Sequence, residues 1–239
     1  MNLTRSNLPP PTPLTPPRPH TKILFSYIDS KRDDATSLHG AFSLGKPGYS
    51  EHAFGGLGVD AVIGPASSGP AMNAQYVLRK LHVPQLGYSA TSPALSDDAL
   101  FPYFLRTPPS DTHQAVILAQ LIRRLGWDRV ATISGTDTYS YTGVQSFQDA
   151  ARKAGVELMG SQTFTVNSKN VSREVLNLVT GGTRIVAVFC RASDMGTVIR
   201  EFSRYSQWKP GSSGVVFIFS ETLKVSTGKA GVLPYRFLP

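Results

Sequence analysis

The sequence predicts an α/β fold built on parallel sheets, and three observations carry that prediction. From Val59 onward, short apolar runs of strand length alternate with amphipathic stretches of roughly 12 residues, the signature of βαβ units. Runs such as VDAVIG, RIVAVF and VVFIF are near-continuously apolar, as expected of strands covered by helices on both faces. A hydrophobic content of 41% with only 17% charged residues supplies a packed core and excludes disorder over the whole length. At roughly 150 residues per domain, a chain of 239 residues forms one large domain or two small lobes.

Residues 9–19 (PPPTPLTPPRP) hold seven prolines and read as an extended polyproline spacer, so residues 1–21 are expected to be a Pro-rich disordered extension. Lys22–Ile28 reads as a strand, and the Gly/Ser/His-rich stretch that follows to Gly58 has too little periodicity to place. Val59–Ile63 is a strand closed by Gly64-Pro65. Ala71–Leu81 carries apolar residues at 71, 74, 77, 78 and 81, which is helical spacing. Pro84–Tyr88 and Tyr103–Arg106 are short strands. Thr112–Leu125 stacks Ala115, Leu118, Ile122 and Leu125 on one helical stripe that Gly126 ends. Arg129–Ile133 reads as strand, Gly143–Ala154 as helix ending before Gly155, and Glu157–Phe164 as strand. Val171–Val179 is helix, Arg184–Phe189 strand, Ser193–Tyr205 helix and Gly214–Phe219 strand.

The charge balance, 24 Lys+Arg against 16 Asp+Glu for a net +8, raises the question of nucleic acid. The basic residues come in scattered pairs (Lys31-Arg32, Arg79-Lys80, Arg123-Arg124, Arg152-Lys153) without an aromatic-interleaved stripe, so solvated helix faces are the better reading. No apolar run reaches the roughly 18 residues of a membrane-spanning helix. The start, Met1-Asn2-Leu3-Thr4-Arg5-Ser6, lacks the apolar stretch of a secretory signal. A single cysteine, Cys190, excludes an internal disulfide and a Cys-based zinc cluster and reads as a small buried hydrophobe. The five histidines (20, 39, 52, 82, 113) show no metal-ligand spacing. No nucleophile elbow, Walker loop, HExxH or GxGxxG follows a strand, so the chain is not read as an enzyme and no catalytic residue, metal or cofactor is nominated. Asn2-Leu3-Thr4 and Asn170-Val171-Ser172 are glycosylation sequons that count only in a secreted chain.

In parallel sheets, ligands collect at the carboxyl ends of strands, in the loops that open the next helix. The first such loop, GPASSGP at 64–70, puts Ser67 and Ser68 at a helix start, where free N–H groups and the dipole favour an anion. Plain helix capping explains the same residues, with Pro70 in the first turn. The next loop, SATSPALSD at 89–97, offers Ser89 and Thr91. Asp111, with Gln114 three residues on, resembles a capping box. Tyr139 follows the polar loop 134–138, and Ser220-Glu221 closes the last strand with a carboxylate. Hydroxyls and helix N–H groups suit a carboxylate, while Asp111 and Glu221 suit an ammonium, and α-amino acids carry both at short separation.

At VIGPASSGPA, PQLGYSATSPALSDD, YFLRTPPSDTHQA and LGWDRVATI the sequence resembles the ligand-binding region of class C G-protein-coupled receptors. It is most similar to the metabotropic glutamate receptors and shares patterns with GABA type-B receptors and plant glutamate-receptor-like channels. The likeness runs from about Val59 to Glu221. It implies the type I periplasmic-binding-protein fold, two βαβ lobes around a cleft that closes on the ligand. A partial first lobe would take residues 22–106, a second lobe 107–223, and residues 224–239 form a tail that matches nothing. The family's carboxylate contacts map onto Ser67, Ser68, Ser89 and Thr91, its ammonium partners onto Asp111 and Glu221 (Glu replacing Asp), and its covering tyrosine onto Tyr139. The implied partner is a small amino-acid ligand, with a homodimer through the first lobe as the family's assembly.

The resemblance places the chain on the extracellular face of the plasma membrane as part of a larger receptor. The returning half of the first lobe, the Cys-rich module and the membrane segments are then expected to lie outside this sequence, which reads as a fragment or incomplete gene model. Two other classes share the fold: a soluble solute-binding protein of an amino-acid transporter, and the peptide-binding ectodomain of a guanylate-cyclase receptor. Retention of the zwitterion-binding residue types weighs against the latter.

Overall fold

A computed structural model describes residues 24–45, 58–182, 184–205 and 215–220. It contains two parallel sheets. The first has three strands in the order β1 (Val62–Ile63), β2 (Gln85–Gly87) and β3 (Phe104–Arg106). Its helices are α1 (Asp34–Gly45) and α2 (Ser68–Leu78), with a short 3₁₀ turn at Pro93–Ser96. The second has four strands in the order β5-β4-β6-β7, where β4 is Arg129–Gly135, β5 Glu157–Phe164, β6 Ile185–Phe189 and β7 Val216–Phe219. Around it lie α3 (Asp111–Arg124), α4 (Thr138–Lys153), α5 (Ser172–Thr180) and α6 (Ala192–Phe202). Among the described residues all pairings are parallel, so the fold is α/β.

Strand β6 shows why RIVAVF reads as a continuous apolar run. Along β6, Val186 and Val188 face a core with Val175, Leu178, Met195, Val198 and Phe202, from α5 and α6. The intervening Ile185, Ala187 and Phe189 face a second core with Ala115, Ile122, Val144 and Phe147, from α3 and α4. Period-2 alternation sends neighbours to opposite faces, and both faces are covered. Gly143 lets α4 approach closely, since a Cβ there would stand 3.1 Å from the Phe189 ring. Gly126 and Gly155 adopt positive φ of 75° and 73° just beyond α3 and α4, the left-handed ending the sequence anticipated.

The first sheet departs from that pattern. Ile63, Leu86 and Leu105 stand opposite one another in register, and all three are exposed, Ile63 to 66%. Helices among the described residues cover only the other face, so VDAVIG is not a strand buried on both sides. The sheet is pinned to α2 by a buried amide pair. Gln85 donates to the carbonyls of Gly64 at 2.9 Å and Ala71 at 3.1 Å and accepts from Gln75 at 2.9 Å.

Several expectations need correction. Residues 24–28 of the expected Lys22–Ile28 strand carry no regular structure. The stretch that resisted assignment contains α1, an α-helix whose polar and apolar residues are poorly segregated. That lack of a stripe is why periodicity missed it. The strand expected over 59–63 is reduced to Val62–Ile63. Helix α2 begins three residues earlier than Ala71, and α4 five residues earlier than Gly143, because polar first turns hold no apolar stripe to read. Residues 1–21 and 224–239 lie outside the described residues.

Candidate functional site

The carboxyl ends of β1, β2 and β3 lead into the loops that hold most of the candidate residues. Ser67 is the N-cap of α2 in extended conformation, but its hydroxyl makes no capping bond, so side-chain capping does not account for it. Ser68 opens the helix with its side chain buried. Its Oγ accepts the backbone N–H of Ser92 at 3.2 Å, which ties the start of α2 to the loop after β2. In that loop Thr91 is buried and Ser89 is exposed, and no hydrogen bond described here joins Ser89 to the others.

Asp111 completes this group. It is 4% exposed and accepts a hydrogen bond from Thr91 Oγ1 at 2.9 Å, while its own N–H donates to the Thr91 carbonyl at 3.0 Å. The capping-box expectation is overturned here. Ser110 is the N-cap of α3, its hydroxyl accepting from Thr112 N, and Asp111 is the first helical residue. A carboxylate in a first turn is favoured by the helix dipole, and here it is also turned inward onto Thr91.

Arg106, the last residue of β3, shapes the loop. Its guanidinium donates to the carbonyls of Thr91 at 3.3 Å and Ser92 at 2.9 Å, and to the Ser96 hydroxyl. Burial pulls the Arg106 pKa below its ordinary value, and the nearby Asp111 carboxylate opposes that shift. Arg106 and Asp111 therefore share one electrostatic neighbourhood.

The second sheet contributes through the first turns of α4. Asp137 is the N-cap, accepting from Ser140 N at 3.4 Å and Ser140 Oγ at 2.6 Å, and it pairs with Arg191 at 3.4 Å. Tyr139 is half-buried and donates its phenol proton to Ser220 Oγ at 2.9 Å, fastening α4 to the end of β7. Three residues on, Thr142 Oγ1 lies 2.9 Å from Ser92 Oγ, a direct bond between the two halves. Thr142 gives its only hydroxyl proton to the Thr138 carbonyl at 2.7 Å. Ser92 must then be the donor in the Ser92–Thr142 bond. The result is a relay from Ser68 through Ser92 to Thr142 and Thr138.

The structure thus brings Ser68, Thr91 and Asp111 together through Ser92, and places Tyr139 one turn from Thr142 on the helix that meets them. Ser67 flanks the group at the N-cap. Glu221 lies outside the described residues, directly after the buried Ser220. Sequence reading missed Ser92, Arg106 and Thr142. Ser92 and Arg106 sat inside the quoted motifs, and Thr142 was marked only by its spacing of three from Tyr139.

A hollow of about 1250 Å³ lies elsewhere, among residues 24–32, α1 and the residues around β1. It touches none of the six candidates among the described residues. Its walls include Phe25 and Tyr27, exposed to 83% and 94%, so it is an open trough. Among the described residues no group of three or more His, Cys, Asp or Glu could hold a metal, and no helix is long and apolar enough to cross a membrane.

The profile of the receptor family ligand binding region matches residues 18–229, most of the chain. The chain belongs to that family. As a receptor ligand-binding region it has the periplasmic-binding-protein-like α/β fold, with parallel sheets of βαβ type. Domains of this family are ligand-binding rather than catalytic and typically stand outside the cell.

Proposed function

We propose that the chain is the sensing domain of a membrane receptor of the class C G-protein-coupled or glutamate-receptor-like type, and that it binds an amino acid or similar small zwitterion between its two halves. The first lobe spans 22–106 and the second 107–223, with closure of one on the other as the signal. The first lobe is also the surface through which two copies pair.

One observation carries this reading: the junction of the Ser68 end of α2, the Thr91 loop and the buried Asp111. A helix start and hydroxyl groups favour an anion, and an adjoining buried carboxylate favours a cation, so the pair matches a carboxylate and an ammonium one carbon apart. Charge-assisted bonds of this kind are the strong ones. Ser67, Ser68, Ser89 and Thr91 take the carboxylate, Thr91 through its backbone N–H because its hydroxyl proton goes to Asp111, while Asp111 and Glu221 take the ammonium and Tyr139 covers the ligand backbone. The Ser92–Thr142 bond supports closure as the readout, because it joins the ligand-holding loop of one sheet to a helix of the other. Titration calorimetry with the twenty amino acids tests the proposal. Binding of at least one, abolished or strongly weakened by Asp111→Ala and Thr91→Ala, is the expected outcome, and no binding by the parent chain defeats it.

A further inference from the structure

We propose that Asn170 is the acceptor of an N-linked oligosaccharide. The tripeptide Asn170-Val171-Ser172 has the acceptor pattern, a pattern that also arises by chance, so the geometry has to carry the assignment. Asn170 is exposed in the turn between β5 and α5. Its Oδ1 accepts the N–H of Ser172 at 2.9 Å, closing an Asx turn that holds the hydroxyl residue beside the amide. From the other side, the Ser168 hydroxyl donates to the Asn170 carbonyl at 2.7 Å and accepts the Asn170 N–H at 3.3 Å. Val171 is 1% exposed and sits in the core with Val175 and Leu178, so the middle residue anchors the tripeptide while Asn170 is exposed and Ser172 half-buried. The amide oxygen and backbone are engaged in the turn, and Nδ2 is the amide atom of this exposed side chain that the turn does not use.

The co-reactant is an oligosaccharide linked through its anomeric carbon to a polyprenyl diphosphate. Asn170 Nδ2 loses one proton to a base of the transferring enzyme and bonds to the anomeric carbon. The bond from that carbon to the diphosphate oxygen breaks, and the diphosphate leaves with the electron pair. No oxidation or reduction occurs. A domain of a family that typically stands outside the cell passes through the secretory lumen, where such donors are used, and the inference is independent of which ligand the chain binds. The sugar would stand at the carboxyl end of β5, which is an edge strand of its sheet. A bulky hydrophilic group there obstructs pairing with another strand.

The test is expression of the full chain behind a cleavable secretory leader in eukaryotic cells, carrying Asn2→Gln so that one acceptor tripeptide remains. Intact mass is read before and after peptide-N-glycosidase, on both the secreted and the cell-retained protein. The expected result is a mass loss on digestion with conversion of Asn170 to Asp, absent in Asn170→Gln and Ser172→Ala and kept in Ser172→Thr. An Asn2→Gln chain whose mass does not change on digestion in either pool overturns the proposal, as does a sugar that persists in Asn170→Gln.

Discussion

Replacing Asp111 by Asn is the sharpest probe of the site. The substitution keeps the volume, and it keeps an oxygen to accept the Thr91 hydroxyl bond of 2.9 Å, so the packing around this 4%-exposed side chain survives. What it removes is the charge. A hydrogen bond to a charged group contributes about 1.5–3 kcal/mol. Arg106 shares the field of Asp111, which places the ligand's loss toward the lower part of that range. A loss of about 2 kcal/mol corresponds to roughly 30-fold weaker binding. Calorimetric titration of parent and variant with the amino acid the parent binds most tightly measures it, and a thermal melt on both confirms that the variant is folded. A dissociation constant within twofold of the parent, in a variant with an unchanged melt, would refute the assignment of Asp111 to the ammonium.

Other consequences can be measured on the same protein. Thr142→Val removes the hydroxyl that meets Ser92 across the two halves. At about 1 kcal/mol for a neutral bond the open–closed balance should move roughly fivefold toward open, and an unchanged single-molecule FRET distribution between labels on the two halves would exclude a role in closure. Phe147 is fully buried against Phe189, with ring centroids 5.5 Å apart. Phe147→Ala is expected to cost about 3–5 kcal/mol in chemical denaturation, and a loss below 1 kcal/mol would contradict the packing of α4 on the sheet. Cys190 has its thiol pKa pushed up from 9.0 to about 12, first by burial and then by the charges of Asp194 and Asp137. Because the folded value lies above the unfolded one, the unfolded state loses its proton first. This group's contribution is full below about pH 9 and is lost as pH rises toward 12. The thiol should resist maleimide at pH 8 until denaturant is added, and fast labelling of the native chain would show the pocket to be open.

The sequence by itself determined the class of the fold and most of its second sheet. The strand expected at Glu157–Phe164 is β5 at the same bounds, and the endings at Gly126 and Gly155 coincide with positive φ. These features are legible because local chemistry decides them: a strand-length run bounded by turn residues stands out from the helical stretches beside it, and a residue without a Cβ tolerates the left-handed conformation. Tertiary structure alone decided the rest. Helix α1 has no clear stripe, so only its packing on α2 shows that it forms. Asp111 looked like a cap, and only the placement of Thr91 turned it inward and left capping to Ser110. Ser92 and Thr142 lie 50 residues apart, and nothing local announces their bond. A hydrogen bond between distant segments depends on how two sheets are set against each other, which the pattern of either segment does not encode.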